Sequence, residues 1–330
     1  MHARFTTRAR YWRLAYRLLL SAGLLVLVWR ELPSATLFSD VSLLTQNAWL
    51  FLALLLLPLN YLLEAIKWRQ LLRPTIRPKL GAAVGHVLVG QASGFMTPNR
   101  LGDYAGRVLG FAPAHRLEAA SATFSSRLGQ LPATLLGGLF AALPLAFSLS
   151  VRWQIGLAML ALVLFSALLL LPQISRRSLR VFGQIVYRIR PSWAERLSQL
   201  RPYDRPTLTR LLALSLLRYV VFTLQYALLI KWLLPELAWL TALQLPALVF
   251  AAKTFIPSFA FAELGIRESL AIVVAGMLSI NPQVAFEATL VLFVLNVLLP
   301  AAAGCLVVLF GRRNLRLASD TSPDAATAKA

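Results

Sequence analysis

The sequence predicts an all-α polytopic integral membrane protein with about eight membrane segments. Of its 330 residues, 58% are hydrophobic and only 14% are charged, and the mean hydropathy is +0.68. A soluble domain of this size could not cover itself with so little polar surface. Several apolar runs also reach the roughly 20 residues that a helix needs to cross a bilayer. Two stretches, 95–107 and 255–269, combine Pro, Gly and charges of both signs, which is typical of broken or re-entrant helix pairs.

Apolar runs bounded by charged residues or Pro define the predicted segments. The first run follows a basic arm and lacks a clear small-x-small cleavage site, so we predict a retained helix and not a signal peptide. These apolar runs are Leu14–Leu32, Ala48–Lys67, Gly81–Thr97, Gly129–Leu149, Trp153–Pro172, Leu208–Leu234, Trp239–Pro257, Leu264–Ile280 and Val284–Phe310, some of which pair in the interrupted stretches.

The basic residues predict the orientation of the chain. The N-terminal arm, the connection Lys67–Lys79, the connection 173–210 and the end after Phe310 are basic, whereas the intervening connections are nearly neutral. Because basic loops stay on the cytoplasmic side, both termini are expected on the cytoplasmic side of the membrane. The net charge of +20 therefore reflects topology and anionic-lipid contacts and does not indicate nucleic-acid binding.

The two interrupted stretches are expected to enter the membrane from opposite sides. The sequence leaves open whether each is a re-entrant pair of half-helices or a pair of full helices. The two halves could be related by inversion, as in many transporters, although the internal similarity is faint. We expect residues 1–316 to form one transmembrane domain, with the basic cytoplasmic connection 173–210 inside it, and residues 317–330 to form a disordered tail.

The first interrupted stretch contains a candidate binding site. Pro98 would end the incoming helix, and Gly102 lets the chain turn or approach a ligand closely. Arg100 and Arg107 offer planar donors suited to phosphate, and Asp103 can orient one of them. The alternative is an interfacial loop with anchoring arginines.

The second interrupted stretch contains a second candidate group. Lys253 stands in an apolar run four residues before Pro257, and Glu263 and Arg267 can pair across one helix turn. The group could bind a zwitterionic headgroup, relay a proton, or be a buried charge pair that holds helices together. Pro257 and Gly265 are predicted to break the helix in this stretch. Glu268 is predicted to be a further binding residue.

Isolated polar residues elsewhere have ordinary explanations. Arg127 and Arg218 are predicted to snorkel from span ends, Gln225 could line a cavity, and His86 is more simply a packed residue. The single Cys305 excludes an internal disulfide. We predict no catalytic residue, no metal and no cofactor, because no metal-ligand spacing, phosphate-binding loop or nucleophile grouping is recognisable.

Three motifs occur in order: Glu64-Ala-Ile-Lys-Trp-Arg-Gln-Leu-Leu72, Pro98-Asn-Arg-Leu-Gly-Asp103 and Gly265-Ile-Arg-Glu268. Together they resemble the lysylphosphatidylglycerol synthase transmembrane-region family, also described as flippase-like domain proteins, from about Tyr16 to Phe310. The family usually has Glu at the position of Asp103 and a Gly-rich run where this chain has Ala260-Phe-Ala-Glu263. The chain resembles the stand-alone membrane half, without the soluble domain of members that synthesise aminoacylated lipid.

The resemblance implies lipid translocation or lipid handling. We expect a phospholipid, or another lipid with a charged headgroup, to bind and to pass between the leaflets of a bacterial inner membrane without nucleotide hydrolysis. The alternatives are an intramembrane transferase acting on a lipid-linked substrate, and an accessory subunit that anchors a separate membrane or soluble enzyme. The headgroup would contact Arg100, Arg107 and Arg267, balanced by Asp103, Glu263 and Glu268, and these three carboxylates are the candidate general bases of a transferase.

Overall fold

The computed structural model describes residues 48–95, 97, 100–146, 203–256 and 262–310, with a few isolated positions between 154 and 188. All regular structure in these residues is helical, which confirms the predicted all-α class. Four helices among them are long and apolar enough to cross a membrane. The predictions that lie outside the described residues concern Leu14–Leu32, nearly all of Trp153–Pro172, most of the connection 173–210, and the tail 317–330.

The described residues form helices joined by short connections. A π-helical turn, Val294–Leu298, interrupts the last span without breaking it. The helices are α1 (Ala48–Gln70), α2 (Leu80–Phe95), α3 (Gly102–Val108), α4 (Arg116–Ala146), α5 (Arg205–Leu233), α6 (Trp239–Thr254), α7 (Ala262–Met277), α8 (Pro282–Phe293) and α9 (Leu299–Phe310).

Capping side chains set the start of two long spans. Asp204 accepts a hydrogen bond from the Thr207 amide at 3.2 Å before α5, and Asn281 accepts one from the Gln283 amide at 2.9 Å before α8. Each satisfies an amide that has no partner within the helix. Hydrogen bonds from Thr207 also lower the pKa of Asp204, since they stabilise the ionised form of this cap.

Helix α4 begins well before the predicted start at Gly129. Its first turns, from Arg116 onward, are too polar to be recognised as part of an apolar span. They are helical because they pack on α1, where the buried Trp68 donates a hydrogen bond to Thr123 Oγ1 at 3.0 Å. The prediction followed hydropathy alone and so missed a helix segment held by a buried polar contact.

The two interrupted stretches correspond to two pairs of packed helices, α2 with α3 and α6 with α7. Helices α2, α6 and α7 have 16 residues each, and α3 has seven. Sixteen helical residues extend about 24 Å, which is less than the roughly 30 Å of hydrocarbon in a bilayer. These lengths favour broken helix pairs over two full spans each.

Helix α3 approaches α2 so closely that a side chain would not fit between them. A Cβ atom at Gly106 would lie 2.6 Å from the Val89 carbonyl oxygen and 2.8 Å from the Gly90 Cα. Both are backbone atoms, which cannot move aside as a flexible side chain can. Glycine therefore permits this contact, and the contact fixes where α3 places its charged residues.

An aromatic cluster marks one end of the bundle. The rings of Trp49 and Trp239 meet edge to face with centroids 5.4 Å apart, and the Lys231 ammonium lies 5.5 Å from the Trp239 ring. The same ammonium donates hydrogen bonds to the carbonyls of Pro235 and Leu237. Trp and Lys side chains of this kind are enriched where a span meets the headgroup layer, so this end of α1, α5 and α6 suits a membrane boundary.

Candidate functional site

A cavity of about 520 Å³ lies in the interior of the bundle, lined by residues of α1 to α7 and the π-helical turn. Among the described residues, seven cationic side chains and two carboxylates line it. Charge at bilayer depth is costly and usually marks a functional site. The cationic residues are Lys67, Arg100, Arg107, Arg127, Arg218, Lys253 and Arg267, and the carboxylates are Glu64 and Asp103.

Glu64, on α1, holds cations from three helices around one carboxylate. Its Oε2 lies 2.9 Å from Lys67 Nζ and 3.5 Å from Arg218 Nη1. Its Oε1 accepts a hydrogen bond from Arg107 Nη2 at 3.0 Å. The carboxylate and Lys67 are both buried, so their charges are stabilised by each other and by the arginines, with little help from water.

Asp103 forms the second anionic centre, on α3. Arg107, one turn later, donates from Nε to Oδ1 at 2.7 Å and from Nη2 to Oδ2 at 3.1 Å. Arg127, on α4, donates from Nη2 to Oδ2 at 2.7 Å. Because Arg107 also contacts Glu64, its guanidinium is fixed between two carboxylates.

The two carboxylates do not neutralise the cations that surround them. Together they contact four cationic side chains, which leaves this cluster with a formal charge of +2. Two of its donors, Arg107 Nη1 and Arg218 Nε, are buried and have no hydrogen-bond partner among the described residues. A buried donor without a partner costs about 1–3 kcal/mol, so the cluster favours a bound anion.

Gln130, on α4, directs its carbonyl oxygen at the cations. Gln130 Oε1 accepts hydrogen bonds from Lys67 Nζ at 3.0 Å and from Arg218 Nη1 at 3.3 Å. Its amide nitrogen donates to the Ser215 carbonyl at 3.0 Å, which fixes the orientation of the amide. The neutral side chain thus holds two cations in place without removing positive charge from the cavity.

One wall of the cavity rests on a buried network of amides. Asn60 Nδ2 donates to Asn296 Oδ1 at 3.0 Å, and Asn296 Nδ2 donates to Gln225 Oε1 at 2.9 Å. Gln225 in turn donates to the Ala53 carbonyl, and the Tyr61 hydroxyl donates to the Asn296 carbonyl at 2.7 Å. Asn296 lies in the π-helical turn, a feature often found at functional sites. Gln225 belongs to this packed network and not to the cavity lining.

Arg100 lies between α2 and α3, lines the cavity and has an unusual backbone conformation. Its φ is +54°, in the left-handed region that non-glycine residues seldom adopt. Its carbonyl oxygen accepts a long hydrogen bond of 3.5 Å from Arg127 Nη2. Such conformations persist where surrounding contacts impose them, and they are frequent at binding sites.

The structure brings residues of both interrupted stretches to one cavity. Glu268 is buried on α7 but is not part of the cavity lining, and the Glu263 side chain lies outside the described residues. The predicted binding residues that line the cavity are Arg100, Asp103, Arg107, Lys253 and Arg267.

The predicted helix breaks have different outcomes. Gly102 is the first residue of α3, and its amide donates to Thr97 Oγ1 at 2.6 Å. Gly265 lies within α7, so the helix continues through it and the predicted break at that residue is wrong. A glycine inside a helix costs about 1 kcal/mol relative to alanine, which this helix tolerates. Pro98 and Pro257 lie outside the described residues.

The predicted snorkelling of two arginines is wrong. Arg127 and Arg218 lie on faces of α4 and α5 that line the cavity, where they contact Asp103 and Glu64. Hydropathy placed them near span ends, but the carboxylates facing them come from helices distant in sequence. The packed interpretation of His86 is confirmed, since it is buried in an aromatic cluster.

Sequence reasoning missed Glu64 and Lys67 as site residues. Both stand near the end of an apolar span, which made them resemble ordinary boundary charges. The available signal was a carboxylate inside an apolar run with a cation three residues later, because an ionisable residue within a span is a functional candidate by default.

A bundle of membrane-length helices around an interior cationic cavity defines a multi-pass membrane protein with a polar site inside the bundle. Residues 14–304 match the family described as Lysylphosphatidylglycerol synthase TM region, and the chain belongs to this family. The membership confirms the resemblance carried by the three motifs and implies a membrane lipid-related role. The comparisons with curated proteins and with solved structures gave no match.

Proposed function

We propose that the protein binds the charged headgroup of a lipid in this cavity and passes the lipid between the leaflets of a bacterial inner membrane. The observation that carries the proposal is the cluster of four cations around Glu64 and Asp103, which lies between membrane helices, has a formal charge of +2 and has two buried donors without a partner among the described residues. Guanidinium groups are well suited to bind phosphate, which phospholipid headgroups contain. Both termini would face the cytoplasm, in line with the basic connections.

The carboxylates would prepare the site for the headgroup. Glu64 and Asp103 hold Arg107 from both sides, so this guanidinium needs no rearrangement when a ligand enters. A site that is ordered before binding loses less entropy on binding, which favours affinity. The donors Arg107 Nη1 and Arg218 Nε would then be satisfied by headgroup oxygens.

The broken helix pairs would supply the route between leaflets. Both α3 and α7 contribute charged residues to the same cavity, and both belong to pairs that are short for the bilayer. Broken segments that meet at a polar site are the design by which many transporters expose one site to the two sides in turn. The process would be passive or coupled to an ion gradient and would use no nucleotide.

Leaflet exchange in proteoliposomes tests the proposal. Phosphatidylglycerol with a fluorescent headgroup-proximal label is followed by its accessibility to an added quencher, with wild type, Arg218→Gln and Arg210→Gln. Arg210 is exposed near the start of the same helix and serves as the matched control. We expect exchange to slow about tenfold or more in Arg218→Gln, since a charge-assisted contact contributes about 1.5–3 kcal/mol, and to be unchanged in Arg210→Gln.

Equal exchange in the wild type and in protein-free liposomes would refute the proposal. Mass spectrometry of lipids from the same vesicles separates a carrier from a transferase, because a carrier leaves no new product. Among the described residues no cluster of three His, Cys, Asp or Glu side chains could hold a metal ion, and both cavity carboxylates are occupied by cations. Neither observation favours a transferase over a carrier.

A further inference from the structure

A second, less polar cavity of about 320 Å³ adjoins the cationic cavity. It is lined by residues of α4, α5 and α6 and by Ile256, just after α6. The two cavities share lining residues on all three helices, among them Gln130, Phe222 and Phe250. Because most of the residues that line the second cavity also line the first, the two cavities adjoin, and we name the second one the side groove.

Besides the residues that it shares with the cationic cavity, the side groove is lined by three residues with hydroxyl groups, Thr134, Tyr219 and Thr254. Among the described residues that line it, the charged ones are Arg218 and Lys253, both shared with the cationic cavity. The hydroxyls of Thr134 and Thr254 donate to carbonyls of their own helices, Gln130 at 3.1 Å and Phe250 at 2.9 Å. With their hydroxyls satisfied in this way, both threonines offer mainly methyl groups to the groove.

Aromatic and aliphatic side chains complete the side groove. The rings of Phe222 and Phe250 stack in parallel with centroids 4.8 Å apart. Leu131 and Ile256, which also line it, are both more than one-third exposed, so the groove is bordered by apolar side chains at the bundle surface. A ligand that is anionic at one end and hydrocarbon at the other would therefore match both spaces.

We infer that the site selects lipids whose phosphate-bearing headgroup has a net negative charge, with one acyl chain of the same lipid in the side groove. The inference rests on the proposed function and adds the substrate class and the location of a chain. A net negative headgroup gains from the formal charge of +2 on the cluster around Glu64 and Asp103, whereas a zwitterion gains little and a cation is repelled. An acyl chain in the side groove would exchange its contacts with other lipid chains for contacts with the apolar side chains that line the groove.

Competition binding in a neutral detergent tests the charge selectivity. Purified protein binds a fluorescent phosphatidylglycerol, which is displaced by unlabelled phosphatidylglycerol, phosphatidylcholine or a synthetic trimethylammonium lipid with identical chains. We expect phosphatidylglycerol to compete at least about tenfold better than phosphatidylcholine, and the cationic lipid not to compete. The preference should disappear in Arg218→Gln and persist in Arg210→Gln, which separates the cavity from the basic surface. Equal competition by all three lipids would overturn the inference.

A second competition tests the chain site without any variant. Single-chain lysophosphatidylglycerol is compared with the soluble headgroup glycerophosphoglycerol and with inorganic phosphate. We expect the single-chain lipid to compete at least about tenfold better than either soluble anion, because burying each methylene is favourable. Equal competition by glycerophosphoglycerol would show that the site takes a phosphate and no chain.

A groove-filling variant locates the chain. Thr134→Trp should erase the advantage of the single-chain lipid over the soluble headgroup, while Phe140→Trp, at a largely exposed position of the same helix, should keep it. Retention of the advantage in a folded Thr134→Trp would place the chain elsewhere.

Exchange in vesicles without charge selectivity would refute the inference and leave the proposed function standing. Selective binding of anionic lipid without exchange between leaflets would support the inference and refute the proposed function.

Discussion

Glu64 on α1 and Arg107 on α3 are joined by a hydrogen bond of 3.0 Å between Oε1 and Nη2, inside the bundle. The same guanidinium contacts Asp103 on its own helix, so one arginine connects a membrane-spanning helix to the interrupted α2–α3 pair. The contact explains how charged residues far apart in sequence form one cluster. It also means that the cluster contributes to the packing of the helices as well as to the site.

Replacing Glu64 by Gln should destabilise the protein strongly. The change keeps the shape of the side chain but removes the charge that balances Lys67, Arg107 and Arg218. Removing one partner of a buried ion pair leaves an uncompensated charge and costs about 3–5 kcal/mol. Thermal unfolding of the purified protein in detergent measures the effect as a lower melting temperature.

Glu118→Gln is the matched control for that measurement. Glu118 lies 3.0 Å from Arg73, whose side chain is 56% exposed, so solvent screens this pair. Loss of such a pair costs about 0–1 kcal/mol. Equal destabilisation by the two substitutions would contradict the central position given to Glu64.

Replacing Gly106 by Ala should push α3 away from α2. The added Cβ would meet the backbone of Val89 and Gly90, and overpacking of this kind costs about 1–3 kcal/mol. We also expect weaker lipid binding, because α3 positions Asp103 and Arg107. Melting temperature and the competition assay measure the two effects.

Gly81→Ala provides the comparison on α2, since a Cβ there would meet nothing within 4 Å. Alanine is favoured over glycine in helices, so this substitution should be neutral or slightly stabilising. A Gly106→Ala protein as stable as Gly81→Ala would show that the two helices are not in the described contact.

The amide network behind the cavity should behave as one unit. Asn60 and Asn296 are joined by a hydrogen bond of 3.0 Å, and removal of either leaves a buried amide without that partner, at about 1–3 kcal/mol. The double substitution Asn60→Ala/Asn296→Ala should therefore cost less than the sum of the single ones. A double-mutant cycle on the free energy of unfolding measures the coupling, and strict additivity would argue against the contact.

Local sequence patterns predicted the helices well and the interior cluster only in part. Helix α5 is predicted as Leu208–Leu234 and observed as Arg205–Leu233. The two agree closely because a long apolar run with polar residues at both ends can cross a membrane only as a helix of about that extent. The start of α4 was missed because its first turns are held by a tertiary contact, the hydrogen bond from Trp68 to Thr123. Hydropathy contains no information about such partners.

The same lack of tertiary information explains which charged residues were predicted to belong to the site and which were missed. Arg100, Asp103 and Arg107 were predicted because they coincide with a helix interruption, a local signal that the sequence shows directly. Arg127 and Arg218 carry no such signal, and only the packing of α4 and α5 beside α1 and α3 brings them to the carboxylates. A local sequence pattern does not show which face of a membrane-spanning helix packs against which other helix, because that depends on the tertiary structure.

Native mass spectrometry of lipids retained by the purified protein tests the central claim most directly. The claim is that the cation-rich interior cavity holds the headgroup of an anionic lipid. We expect about one anionic phospholipid per chain to stay bound to the wild type and to Arg210→Gln, and to be lost from Arg218→Gln. Equal retention by all three proteins, or retention of zwitterionic lipid only, would contradict it.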